Sequence, residues 1–471
     1  MYIKSIRRIT NDANHNAFTG ACWFKGALFV AFRQGDAHVD PGGRLVVIRS
    51  RDEGISFDLV AVLRGQFDTR DAHLYEDGKR LWLTGFEYDY ENHRIHSGYA
   101  YSEDGIHWSA WQRMQETGNY VMWRAKFFKG KYYCAGYTGN GQARETEVSW
   151  FESDDGMLWR RRYVIHGGAD CPSECYLDFK SDGSAAILMR CDDKSNKPYL
   201  LRSNPPYDKW SKVRLNIPLS GPALWFAGDD IWISGRWFVN PDVAHVGIFK
   251  IVDSTPVLRL VLPSGPDFDC SYMGVAKRED NPARFSFSYY SGHEAPGDPR
   301  IGQFNHPDIY LVDAIFSLKD IPFIQNWKVS RVQQCSLKNA VPPDPNDASY
   351  GWRDLSAYGE KELKAGKVTL SSVGFVDAGS IIQRTAGVIW FTTEIDVGPC
   401  SSGRLYLGYD GPVAVWVNKT KVFEGTGTNP AIADQNSVRV KFNHGANRIM
   451  ICLDTNGGRA QGVFCRWTKE K

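Results

Sequence analysis

No run of the 471-residue chain approaches the ~20 consecutive apolar residues that cross a bilayer as a helix, so no membrane partner is expected. The N-terminus, MYIKSIRRIT, has no apolar segment of the kind that forms a secretory leader. It reads as cytoplasmic as written, or as secreted or periplasmic if a leader has been removed. Net charge is nearly absent: 56 Lys and Arg face 54 Asp and Glu. A nucleic-acid surface needs a clustered positive excess, so that class of partner is excluded. Paired CxxC ligand spacings are missing too. The ten cysteines are scattered, with only Cys171 and Cys175 close together, and they read as buried thiols. No metal ligand set and no required cofactor follows from these residues; a structural zinc or calcium is left open.

Aromatic residues are plentiful, with 16 Trp, 22 Tyr and 25 Phe. Aromatics favour strands, and their faces also stack on sugar rings. They recur in a pattern. A turn glycine followed by an apolar run appears at Gly26, Gly78, Gly130, Gly183 and Gly228, at spacings of 52, 52, 53 and 45. A second marker keeps step: SRDEGISF from Ser50, SEDGIHW from Ser102, SDDGMLW from Ser153 and the degenerate SNPPYDKW from Ser203. Its Ser and Asp can bond the backbone of their own turn, and Gly supplies a left-handed position. Short strands between Gly turns, four per ~50 residues, describe one propeller blade. The expected fold is all-β: a six-bladed propeller, or seven-bladed if one blade is degenerate, with YIKSIRRIT pairing into the last blade to close the ring.

The stretch NAVPPDPNDAS at 339–349 breaks the pattern as a linker. The propeller is therefore expected over 1–338 and a β-sandwich over 350–471, where GRLYLGYDGPVAVWVNKTKVF and SVRVKFNHGANRIMICLD alternate as strands. This tail resembles the jelly-roll modules attached to many glycoside hydrolases.

The S-x-D-x-G-x-x-W element resembles the Asp-box of the sialidase superfamily, which implies the architecture more than the reaction. Family sialidases carry three arginines for the substrate carboxylate, a Tyr nucleophile with a Glu partner, and an Asp acid/base. The matching positions here, in chain order, are Arg33, Glu174, Arg190, Arg236 and Tyr272. A guanidinium fork grips a planar carboxylate bidentately, and Glu beside Tyr serves as base to a phenol of pKa about 10. Arg33 is followed by Gln-Gly and not by the Ile-Pro usual in sialidases. For the acid/base, GDAHVDPGG offers Asp36, His38 and Asp40.

A second resemblance covers residues 14 to about 290: NHNAFTGACWFKGALFVAFRQGDAH is similar to the opening of the propeller polysaccharide lyases, of the ulvan and rhamnose–glucuronate type. It implies a catalytic set of His73, His93 and Tyr137, with Tyr133 and His96 as alternates, and an arginine at Arg124 or Arg144. Such a set suits β-elimination, because a cation must stabilise the enolate-like intermediate while His or Tyr moves protons. The leading expectation is a uronate-directed lyase acting on an acidic oligo- or polysaccharide. The alternatives are a sialidase-type exo-glycosidase and a non-catalytic glycan-binding propeller.

Overall fold

The computed structural model describes the chain apart from residues 139–145, 241–242, 266–268, 279–280, 282, 295–305, 317–321, 360–372, 400–401, 428, 430 and 470–471. Arg144 lies outside the described residues. Two compact units emerge: one comprises Ile6–Pro256 with Ser264–Asp313, the other Met1–Ser5, Val257–Pro263 and Ala314–Lys471.

Among the described residues six sheets follow one another along the chain as blades of a β-propeller. The first runs His15–Phe24, Ala27–Gly35, Arg44–Ser50 and Asp58–Leu63, and the second Asp68–Glu76, Leu81–Asp89, Arg94–Ser102 and Gln112–Arg113. The last begins at Cys270–Lys277 and ends with Tyr2–Arg8 pairing beside Asp308–Ile315, so the N-terminal strand completes the ring. Each repeat turn is held as its residues dictate. Ser102 Oγ accepts from Gly105 N at 2.8 Å, and Asp104 Oδ1 accepts from the amides of Ile106 and His107, both at 2.8 Å. Ser153 and Asp155 repeat the arrangement one blade later.

The innermost strands do not run straight. In the first, second, fourth, fifth and sixth blades the pairing slips by one residue between Ala17 and Gly20, Arg70 and His73, Pro172 and Cys175, Ser220 and Ala223, and Ser271 and Gly274. In the third blade the slip divides the inner strand into Tyr120–Val121 and Lys126–Phe128. Five of the six slips hold a left-handed residue: Phe18, Asp71, Arg124, Gly221 and Tyr272. The fourth holds Glu174. A bulge bends its strand and re-aims the side chain it carries, so each blade delivers one residue to the hub. Close approach of the inner strands follows from small residues beside these bulges. A Cβ on Gly20 would sit 2.6 Å from the Ala72 carbonyl oxygen and 2.8 Å from Leu74 N, both backbone atoms of the next blade. Gly20→Ala should therefore destabilise the protein by about 1–3 kcal/mol through overpacking, read as a lowered denaturation midpoint.

The second unit holds two further sheets. One orders Arg353–Ser356, Asn326–Val329, Val388–Asp396, Ala446–Asp454, Val413–Val417 and Thr420–Gly425; the other orders Phe375–Asp377, Gly462–Lys469, Ser402–Tyr409 and Asn436–Lys441. Phe391, Val415 and Ile451 of the first share one buried core with Leu405, Leu407 and Val463 of the second, which makes the pair a β-sandwich. Asn326–Val329 lies N-terminal to the boundary expected at 338, yet pairs inside this sandwich. Its alternation, with Trp327 and Val329 inward, would suit a blade strand equally well.

Candidate functional site

A pocket of about 560 Å³ opens on the propeller. One wall is aromatic, built from Phe86, Tyr88 and Tyr90 at the end of a second-blade hairpin, with Tyr137 from the third blade. Ser173, Glu174, Arg190 and Asp192 from the fourth blade also line it, together with His38 and Arg70.

At the hub the Glu174 carboxylate accepts the Tyr272 hydroxyl at 2.6 Å and Arg190 Nη1 at 2.9 Å through the same oxygen. Arg190 Nη1 also approaches the phenol oxygen at 3.1 Å, while its Nε is held by Asp192 at 2.6 Å. The Arg236 guanidinium lies 5.6 Å over the Tyr272 ring, donating to the Cys270 carbonyl and to the Tyr290 hydroxyl. Burial, with the Glu174 charge next, raises the Tyr272 phenol well above its ordinary value; the two arginines pull the other way. Burial similarly lifts the Asp71 carboxyl to about 7, opposed by Arg70 and reinforced by Glu174. Asp71 is thus raised toward neutrality beside Glu174, which is itself bound to a guanidinium and a phenol.

A second network supports the rim. Asp68, fully buried, accepts Arg33 Nε at 3.0 Å, Arg33 Nη2 at 3.2 Å, Arg70 Nη1 at 2.9 Å and the Tyr90 hydroxyl at 2.7 Å. Arg70 reaches the pocket; Arg33, with no exposed surface, does not line it.

The residues singled out from the sequence divide accordingly. Glu174, Arg190, Arg236 and Tyr272 come together at the hub, with His38, His93 and Tyr137 on the pocket walls. The expected catalytic set of His73, His93 and Tyr137 is not assembled. His73 is buried against Trp123, with ring centroids 4.7 Å apart, and neither of its ring nitrogens has a hydrogen-bond partner among the described residues. His93 stands exposed on the hairpin, 3.4 Å from the Tyr88 hydroxyl. The reason is the bulge: in a regular strand Asp71 and His73 would share a face, but the slip between Arg70 and His73 sends them apart. Arg124 is also placed differently from expectation. Its guanidinium donates to the carbonyls of Met273 at 2.8 Å and Thr19 at 3.0 Å, so it ties the third blade to the sixth and first. Asp40 spends its carboxylate on the amides of Asp36 and Gly42, shaping its own loop.

Neither protein-family models nor curated proteins give a match to the chain. Solved structures do. The phage phi92 endosialidase aligns with a TM-score of 0.54 at 10% identity, covering 76% of this chain and 75% of its own. A protein of unknown function from Dyadobacter fermentans DSM 18053 aligns with a TM-score of 0.53 at 15% identity, covering 66% of this chain and 100% of its own. The propeller is sialidase-like in fold. Identity this low speaks to architecture alone, and chemistry has to be argued from the site.

Sequence reasoning passed over Arg70, Asp71 and Asp269. Arg70 and Asp71 stand in the TRDAH string; the signal available was the place of Asp71, 53 residues and one repeat after Phe18.

Proposed function

We propose that the protein is a retaining glycoside hydrolase acting on an acidic sugar, with Tyr272 as nucleophile, Glu174 as its base and Asp71 as the acid. The observation that carries this reading is the single Glu174 oxygen accepting both the Tyr272 hydroxyl and Arg190. A phenol is a poor nucleophile while protonated, and a carboxylate in hydrogen-bond contact removes that proton as the oxygen attacks. The anomeric carbon then exchanges its bond to the leaving oxygen for one to Tyr272, and Asp71 delivers its proton to the departing group. In the second half, water attacks the glycosyl–tyrosine, keeping one proton on the new sugar hydroxyl and giving the other to Asp71, while Glu174 returns to the departing phenolate the proton it took in the first half. Tyrosine replaces the usual second carboxylate, which suits an anomeric centre that already bears negative charge nearby. Arg190, Arg236 and Arg70 are the cations that would meet the sugar's carboxylate, and Tyr88, Tyr90 and Tyr137 its ring faces.

Fluorogenic α-sialosides, other ulosonic-acid glycosides, uronides and a neutral arabinofuranoside form the deciding panel. Release from an acidic glycoside with retained configuration by NMR is expected. Inverted product, or release of the arabinofuranoside alone, would overturn the assignment, and rising absorbance near 235 nm on a uronate polymer would establish elimination instead.

The acid sets a pH limit. Asp71 must be protonated to act, and its carboxyl is raised to about 7, so kcat/KM should fall tenfold per unit as pH rises above about 7. Asp71→Asn should remove this limb and spare substrates whose leaving group needs no proton.

A further inference from the structure

We propose that His15, His38 and Asp269 form a binding site for a divalent transition metal of the zinc type on the wall of the pocket. His15 and His38 come from the first blade and Asp269 from the edge of the sixth, and one donor atom of each falls within 4.8 Å of the others. The His38 Nδ1 lies 3.2 Å and 3.3 Å from the two Asp269 oxygens, and the His15 Nε2 lies 2.6 Å from Oδ2. Zinc bonds of about 2.0–2.1 Å to nitrogen and oxygen place donors about 3.3 Å apart on a tetrahedron. The His38 pair already has that separation, and the His15 pair has to open by less than an ångström. The two imidazoles meet almost at right angles, 80° between planes with centroids 5.4 Å apart, so their lone pairs can converge without the rings colliding.

The surroundings are those of a built site. His15 is fully buried and Asp269 nearly so, while His38 is a quarter exposed and lines the pocket. The Tyr290 hydroxyl donates to Asp269 Oδ1 at 2.9 Å, fixing the carboxylate in the way outer partners orient metal ligands. Two imidazoles and one carboxylate are the donors that borderline metals prefer, whereas calcium asks for six or more oxygens. Three protein ligands leave a fourth position for water or a sugar oxygen. The ion would also tie the sixth blade to the first, where the ring closes. Arg70 and Arg236 stand close by, through His38 and Tyr290 respectively, so affinity belongs in the micromolar range and below that of an all-thiolate site.

The test is direct binding by the full chain after chelator dialysis, with Zn²⁺ followed by calorimetry and Co²⁺ by its visible absorption. One equivalent of Zn²⁺ should bind, Co²⁺ should give the intense bands of a tetrahedral site, and Ca²⁺ should give no heat. His38→Ala, at a partly exposed position, should weaken Zn²⁺ binding at least about tenfold and abolish the cobalt bands; Asp269→Asn should do the same. Equal binding by wild type and His38→Ala, or zinc located elsewhere by anomalous scattering, would overturn the proposal. Neither readout uses turnover, so the result is independent of the hydrolase reading.

Discussion

Tyr272→Phe should lower turnover of the cognate glycoside by at least about a thousandfold while leaving the fold in place, the pattern for loss of a nucleophile. The substitution removes one oxygen whose hydrogen bonds run to Glu174 and Arg190. The ring keeps its edge-on contacts with Phe18 and Trp123, at 5.1 and 5.8 Å. Glu174 retains Arg190, so no buried carboxylate is stranded, and the stability change should stay within about 1 kcal/mol. Steady-state kinetics beside a thermal melt separates the two effects. Unchanged turnover in a folded variant would remove Tyr272 from the chemistry, and with it the main argument for a sialidase-type reaction.

The largest expected effect on stability comes from a residue that touches no substrate. Asp68→Ala should cost about 3–5 kcal/mol, because it leaves Arg33 buried without its carboxylate partner. Among the described residues Arg33 would keep only its bonds to the carbonyls of Ala37 and Asp40. Arg70 would lose the anchor that holds it at the pocket, as would the Tyr90 hydroxyl. Denaturant unfolding measures the loss. A change below 1 kcal/mol would mean that solvent reaches Arg33 and that the ion pair is a surface feature.

The hub shows why a propeller site is only half legible from its sequence. Glu174, Arg190, Arg236 and Tyr272 could be chosen from the resemblance to sialidases, and they do converge. Arg33 has the same local appearance, yet Asp68 takes the Nε–Nη2 edge of its guanidinium with both carboxylate oxygens and keeps it inside the protein. A carboxylate 35 residues away decided between a substrate contact and a buried ion pair. His73 went astray for a different reason. Strand alternation assigns faces by counting in twos, and a one-residue bulge reverses the count beyond it. Nothing in TRDAHLYED announces that Asp71 is left-handed.

The blade count and the ring closure by the N-terminal strand were set by local information: turn glycines, Ser–Asp turns and strand alternation repeat every fifty or so residues, and each acts within its own blade. The polar residues at the hub belong to no single blade. Asp71, Glu174 and Tyr272 are about a hundred residues apart in succession, and Asp269 meets His15 from 254 residues away. Their burial, protonation and partners are properties of the closed ring, because only there do the bulged inner strands of separate blades bring these side chains together.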